Sequence, residues 1–247
     1  MGRFKVLGVG IDPVTMDDAL ARLDDMVRTR AKGYLVFCTV SSLVSAADDP
    51  AVARAIEDAT VVTPDGMPLV WLGKRRATRP VERVYGPDFL REVLARRPGL
   101  RHFFYGGGPG VAEKMARDLA ATYPGLEVAG AHSPPYGLAA GEVDTAAIDL
   151  LNSAGADVVW VGLGHPKQEM WMQVMQPHLD APVLAGVGAA FDFLSGAKRE
   201  APEWMKRSGL QWLHRLLSEP RRLAKRYVVG NTRFLWLLVK SRRSDLA

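Results

Sequence analysis

One cysteine, Cys38, stands in 247 residues, which excludes an internal disulfide framework and any metal site built from several cysteines. Its neighbours, Tyr34-Leu35-Val36-Phe37, make it a buried small hydrophobe rather than a nucleophile. No stretch approaches the roughly 20 consecutive apolar residues of a membrane-spanning helix. The opening MGRFKVLGVGIDPVT meets Asp12 and Pro13 too early for a signal peptide, and Val6 stands where a myristoylation motif needs Ser or Thr. A chain made in the cytoplasm, soluble or peripheral to a membrane, is expected. No internal repeat and no low-complexity tract occurs. The standard nucleotide-binding signatures are missing too. In the loop GGGPG, Ala112 falls where the third glycine of G-x-G-x-x-G would stand counted from Gly107, and the loop lacks the Lys and Ser/Thr of a P-loop. No Asp-x-Asp pair is present where a metal would be held; Asp192 is followed by Phe193 and Leu194.

What the chain does have is alternation. Short apolar runs at 4–9, 34–39, 60–63, 102–105, 126–131, 158–162 and 183–187 read as strands. Helical patterns lie between them at 16–30, 43–55, 88–97, 111–123, 143–154 and 168–176. Such alternation predicts an α/β fold, a Rossmann-like, mostly parallel sheet with helices on both faces. From residue 198 onward strand patterns vanish, and Pro202, Gly209 and Pro220 punctuate a helical segment. Two parts are expected: a core over 1–197 and an appendage over 198–247.

Strand ends carry the candidate chemistry, because ligands of α/β sheets bind outside the carboxyl ends of the strands. The run Val61-Val62-Thr63 stops at Pro64-Asp65-Gly66, so Asp65 is presented at that edge. Asp-Gly is also ordinary turn chemistry, which explains the backbone without a role for the carboxylate. Gly106, Gly107 and Gly108 follow a strand and precede a helix, an arrangement that suits a diphosphate. The segment VGLGHPKQEMW presents Gly164, His165, Pro166, Lys167, Gln168 and Glu169 at a helix start. Lys167 suits a phosphate and Gln168 a sugar or base. Glu169 suits a helix N-terminus on its own account, and His165 is read as a loop residue without a catalytic role. Arg83 can clamp a phosphate, or be a surface arginine.

The formal charge is +5, and the basic residues crowd the tail, from Arg215 through Arg221, Arg222, Lys225 and Arg226 to Arg243. Trp204, Trp212, Tyr227, Phe234 and Trp236 are interleaved with them. That mixture points to an anionic membrane surface. Nucleic acid is the rival partner, and a docked helix pair with a solvated basic face is the plain alternative.

Four blocks together resemble the WecG/TagA/CpsF family of bacterial glycosyltransferases: TPDGMPLVW at 63–71, RVYGPD at 83–88, VGLGHPKQEMW at 161–171, and the long block at 186–222. The resemblance implies transfer of a sugar, often N-acetylmannosamine, from a UDP donor to an undecaprenyl-diphosphate-linked sugar. It implies no metal, no cofactor, no nucleic acid, and an appendage that binds the inner face of the cell membrane and completes the active site. Self-association away from the membrane is compatible with it. By resemblance Asp65 is the catalytic base, Arg83 and Gln168 are active-site residues, and Arg215 and Arg222 reach the donor diphosphate. Lys225 stands where an arginine is usual, with Arg226 beside it. The early Thr-x-Asn motif of the family is altered: Phe37 and Thr39 fill its positions, with Ser41 and Ser42 nearby. The donor and acceptor sugars stay open on this account, with glucose, glucuronic acid and N-acetylglucosamine as alternatives.

Overall fold

A computed structural model describes residues 2–135, 141–218 and 220–244, and for 203, 207, 215, 221–228 and 242–244 the backbone alone. The run at 4–9 is not one strand. It folds back on itself as β1 (Phe4–Val6) and β2 (Val9–Ile11), paired antiparallel through Leu7 and Gly8, both at positive φ. Apolar alternation alone does not reveal such a turn, because only Gly8 advertises the left-handed conformation. Asp12, buried behind this hairpin, accepts from the Val62 amide at 2.8 Å and pairs with Arg3 and Arg22.

The chain continues through α1 (Met16–Thr29), β3 (Gly33–Cys38), α2 (Val40–Asp48), α3 (Pro50–Glu57), β4 (Val61–Pro64), α4 (Met67–Arg76) and α5 (Gly86–Arg96). Then come β5 (Arg101–Gly106), α6 (Val111–Thr122), β6 (Glu127–His132), α7 (Thr145–Ala154), β7 (Val158–Gly162), α8 (Lys167–Met175) and β8 (Val183–Gly186). Four helices finish it: α9 (Ala190–Leu194), α10 (Glu203–Arg207), α11 (Gln211–Ser218) and α12 (Pro220–Ser244). The helix expected over 43–55 is broken in two. Pro50 has no amide hydrogen to continue a helix, and Asp49 caps the new one by accepting from the Ala51 amide at 2.8 Å.

β3 to β8 form one sheet of order β4-β3-β8-β7-β5-β6, with every pairing parallel. This is the expected α/β architecture. Successive side chains point to opposite faces, so the apolar runs supply two cores. Tyr34, Val36 and Cys38 join Leu43, Ile56, Trp171 and Met172 under α2, α3 and α8. Leu35 and Phe37 join Leu23, Phe89, Leu90 and Phe191 under α1, α5 and α9. β5 and β7 stay paired to their last residues, but β5 leads to α6 on one face and β7 to α8 on the other, so the connections diverge beyond the carboxyl ends and leave a crevice. From 198 on the described residues contain helices only, and α12 lies against α2 with Phe234 buried in the first core.

Candidate active site

The carboxyl ends of β3, β4, β5, β7 and β8 open into one cavity of about 1520 Å³. Its far wall comes from α4 and α12, with Met67, Trp71, Leu72, Phe234, Leu235 and Leu238. Single-ligand pockets commonly measure about 300–1000 Å³, so this space suits two substrates side by side.

Asp65 sits on its floor, 9% exposed, at the end of β4. Its amide donates to the Cys38 carbonyl at 2.9 Å, which continues the β3–β4 ladder by one residue and fixes the carboxylate's position. Arg83 reaches it from the loop before α5. The Arg83 Nε donates to the Asp65 carbonyl at 2.6 Å, and a terminal nitrogen lies 3.5 Å from Asp65 Oδ1. The same guanidinium donates to the Lys206 carbonyl at 3.3 Å and to Gln211 Oε1, and stacks over the Tyr85 ring at 4.5 Å. Arg83 is therefore no surface arginine. It ties the β4 edge to α10 and α11, and Gln211, which the sequence did not single out, is its partner.

On the opposite wall, Gln168 is buried at the start of α8. Its Nε2 donates to the Gly186 carbonyl at 2.8 Å and to Glu169 Oε1 at 3.3 Å. A Cβ on Gly186 would lie 3.1 Å from that nitrogen, and one on Gly188 3.2 Å from Oε1, so the glycines of β8 and its following turn make room for the amide. Glu169 is 1% exposed, with His165 Nδ1 3.2 Å from its Oε2. Lys167 is exposed at the cavity rim, beside Gly164 and Pro166.

The glycine loop behaves differently from expectation. Gly107 and Gly108 line the cavity, but Gly106 does not. Gly106 is the last residue of β5, at φ 137°, and a Cβ there would lie 2.5 Å from the Gly162 carbonyl carbon on β7. Its place in the structure is explained by close strand packing. Several loop amides are spent within the chain: Gly107 on the Gly162 carbonyl at 3.0 Å, Val111 on Gly108 at 3.0 Å, and Ala112 on Ser133 Oγ at 3.1 Å.

Thr39 and Ser41 both line the cavity. The Thr39 hydroxyl caps α2, with Ser42 Oγ at 3.1 Å and the Ser42 amide at 3.3 Å. Asp192 is ion-paired with Lys198 at 2.7 Å. Burial pushes the Cys38 thiol up, and the Glu169 and Asp65 charges push it the same way, which leaves it inert. Among the described residues no three His, Cys, Asp or Glu side chains form a group that could hold a metal ion. The side chains of Arg215, Arg222, Lys225 and Arg226 lie outside the described residues, on α11 and α12.

The profile of the Glycosyl transferase WecG/TagA/CpsF family matches residues 4–246. The chain belongs to this family. A relative from Bacillus subtilis (strain 168), N-acetylglucosaminyldiphosphoundecaprenol N-acetyl-beta-D-mannosaminyltransferase, is 29% identical over 167 residues. The match takes in 67% of this chain and 63% of the relative's length. A solved structure of an arylmalonate decarboxylase mutant in a sulfate-associated form overlaps 80% of this chain and 83% of that one, at 19% identity and TM-score 0.27. At that score the overlap says nothing of fold or chemistry. Trp71, which the family block TPDGMPLVW contains, is half exposed on the cavity's outer wall.

Proposed function

We propose that this chain transfers a sugar from a UDP donor to a sugar carried on a polyprenyl diphosphate, working at the inner face of the cell membrane. The observation that carries the reading is one cavity, in a chain of this family, with Asp65 on its floor and space for two substrates. Asp65 takes the proton of the acceptor hydroxyl as that oxygen attacks the donor sugar. The C1–O bond to UDP breaks, and the departing diphosphate needs positive charge. Arg83 holds Asp65 in place and contributes charge beside it. Arg215, Arg222, Lys225 and Arg226 supply charge from α11 and α12. The donor needs no metal on this scheme.

The relative's name supports N-acetylmannosamine as the donor sugar and an N-acetylglucosaminyl lipid as the acceptor. The Thr39 substitution favours keeping a second donor in view, because a hydroxyl held in a helix cap replaces an amide. Glucose, glucuronic acid and N-acetylglucosamine are the donors to compare.

Exposed apolar side chains on the last helices support membrane contact: Trp204, Trp212, Leu217, Leu235, Trp236 and Val239. No helix among the described residues is long and apolar enough to cross a bilayer. Residues 198–247 are thus read as an appendage that rests on the surface and closes the site.

The test is UDP release from a panel of UDP-sugars, with and without a synthetic polyprenyl-diphosphate sugar. Acceptor-dependent release is expected. Absence of release with every donor, together with tight oligonucleotide binding at physiological salt, would favour a nucleic-acid module instead.

A further inference from the structure

The inner wall of the cavity holds a buried carboxylate that the transfer scheme leaves without a task. Glu169 is 1% exposed, on the first turn of α8. An ionised carboxylate so deep is costly unless it is paired and hydrogen-bonded. One oxygen, Oε1, accepts from Gln168 Nε2 at 3.3 Å. The other, Oε2, has His165 Nδ1 at 3.2 Å but out of hydrogen-bond alignment, and neither atom has another partner among the described residues. His165 lies in the turn just before α8, and that turn folds its ring back against Glu169 on the helix's first turn.

We propose that Glu169 holds the His165 proton on Nδ1, so that His165 Nε2 offers a lone pair to a sugar bound in the cavity. This rests on the glycosyl-transfer reading of the site. A histidine's tautomer is set by the hydrogen bond that one ring nitrogen makes, and a carboxylate beside Nδ1 selects Nδ1–H. Nε2 is then an acceptor, and it has no partner among the described residues. Gln168 repeats the pattern. Its Nε2 is spent on the Gly186 carbonyl, and flipping the amide would set two acceptors 2.8 Å apart. Its Oε1 is therefore an acceptor too, and is also unpartnered. Two unpartnered lone pairs in one wall repel phosphate oxygens and recognise O–H or N–H groups. The wall at the start of α8 therefore binds a sugar, and the diphosphate lies elsewhere. His165 is a substrate-binding residue, and Glu169 is a positioning residue that acts through it.

Glu169→Gln tests this with little change of shape. The new amide oxygen keeps the Gln168 contact, which leaves its NH₂ facing His165 Nδ1. That donor moves the ring proton to Nε2 and turns the acceptor into a donor. Imidazole ¹⁵N spectra of the whole protein, with His165→Ala used to assign the signal, should show Nδ1–H at neutral pH in wild type and Nε2–H in Glu169→Gln. In the UDP-release assay, KM for one sugar substrate should rise roughly tenfold in Glu169→Gln and in His165→Ala, with the double variant no worse than either. Whether donor or acceptor KM moves says which sugar the wall holds. A purely structural Glu169 predicts a Gln variant with unchanged KM values, because removing a buried charge is benign. Unchanged KM values, or a wild-type ring protonated at Nε2, would overturn the inference. The spectra decide the tautomer on the protein alone, whereas failure of wild type to transfer any sugar overturns the function instead.

Discussion

Arg83→Lys is the most revealing perturbation of the site, because it keeps the charge and removes the fork. The guanidinium spreads its nitrogens over the Asp65 carbonyl, the Lys206 carbonyl and Gln211 Oε1, and stacks on Tyr85. An ammonium is a single point. It can stay with Asp65, but it cannot also span to α10 and α11. Two hydrogen bonds from a charged donor are lost at the tail side, each worth at least about 1.5 kcal/mol, for a sum of about 3 kcal/mol. The loss falls on the attachment of α10 and α11 rather than on the sheet. At tenfold per 1.4 kcal/mol, local opening of that attachment becomes roughly 100-fold more frequent. Amide hydrogen exchange should report it: faster exchange over 203–218, with β3, β7 and β8 unchanged. Turnover should fall as well, because the open state lacks the tail's charge. If exchange over 203–218 matches wild type, Arg83 is not the strut between core and tail, and its energetic role is confined to Asp65.

Other outcomes follow from particular residues. Asp65→Asn should lower turnover by roughly 10²–10⁴, the usual worth of a general base, with UDP binding measured by calorimetry nearly intact; near-normal turnover would remove Asp65 as the base. His102 is fully buried and its Nδ1 accepts from Trp160 Nε1 at 3.1 Å, which requires a neutral ring. Burial pulls its pKa down to about 4 from 6.5. The unfolded chain therefore binds the extra proton first, so this contribution is complete above about pH 6.5 and is lost as pH falls towards 4, on the order of 3 kcal/mol in all. His102→Asn keeps an acceptor for Trp160, and its urea midpoints between pH 7 and 5 should lose that part of the slope. Gly106→Ala should cost on the order of 4 kcal/mol or prevent folding, since it combines a glycine-only backbone with a backbone clash. Gly110→Ala, at φ 76° in open space, should cost only about 1–2 kcal/mol, and thermal melts of the pair check the difference.

Much of the fold was legible because the strands of the sheet, the edge strand β6 apart, are buried on both faces, which writes them as short, dense apolar runs between turn residues. The place of Asp65 on the cavity was legible for a related reason: parallel strands deliver their ends to one edge, so a polar residue just past such a run faces that edge. The hairpin at Leu7 was hidden, because a leucine at positive φ leaves no mark in apolar patterning. The short helix α9 was hidden because it follows directly on the glycine-rich run 186–190, which reads as a turn.

The sequence by itself determined the parallel sheet, the helical tail and the edge at which the cavity opens, since periodicity and turn chemistry act over a few residues. The tertiary structure decided which groups meet there. Gly106 packs on Gly162, 56 residues away, and serves as a spacer between strands. Arg83 finds Gln211 across 128 residues and becomes a strut. His165 and Glu169 are near in sequence, yet only burial beneath the cavity turns that spacing into a pair. Local pattern sets where the backbone goes; the cost of burying charge depends on what the fold brings beside it.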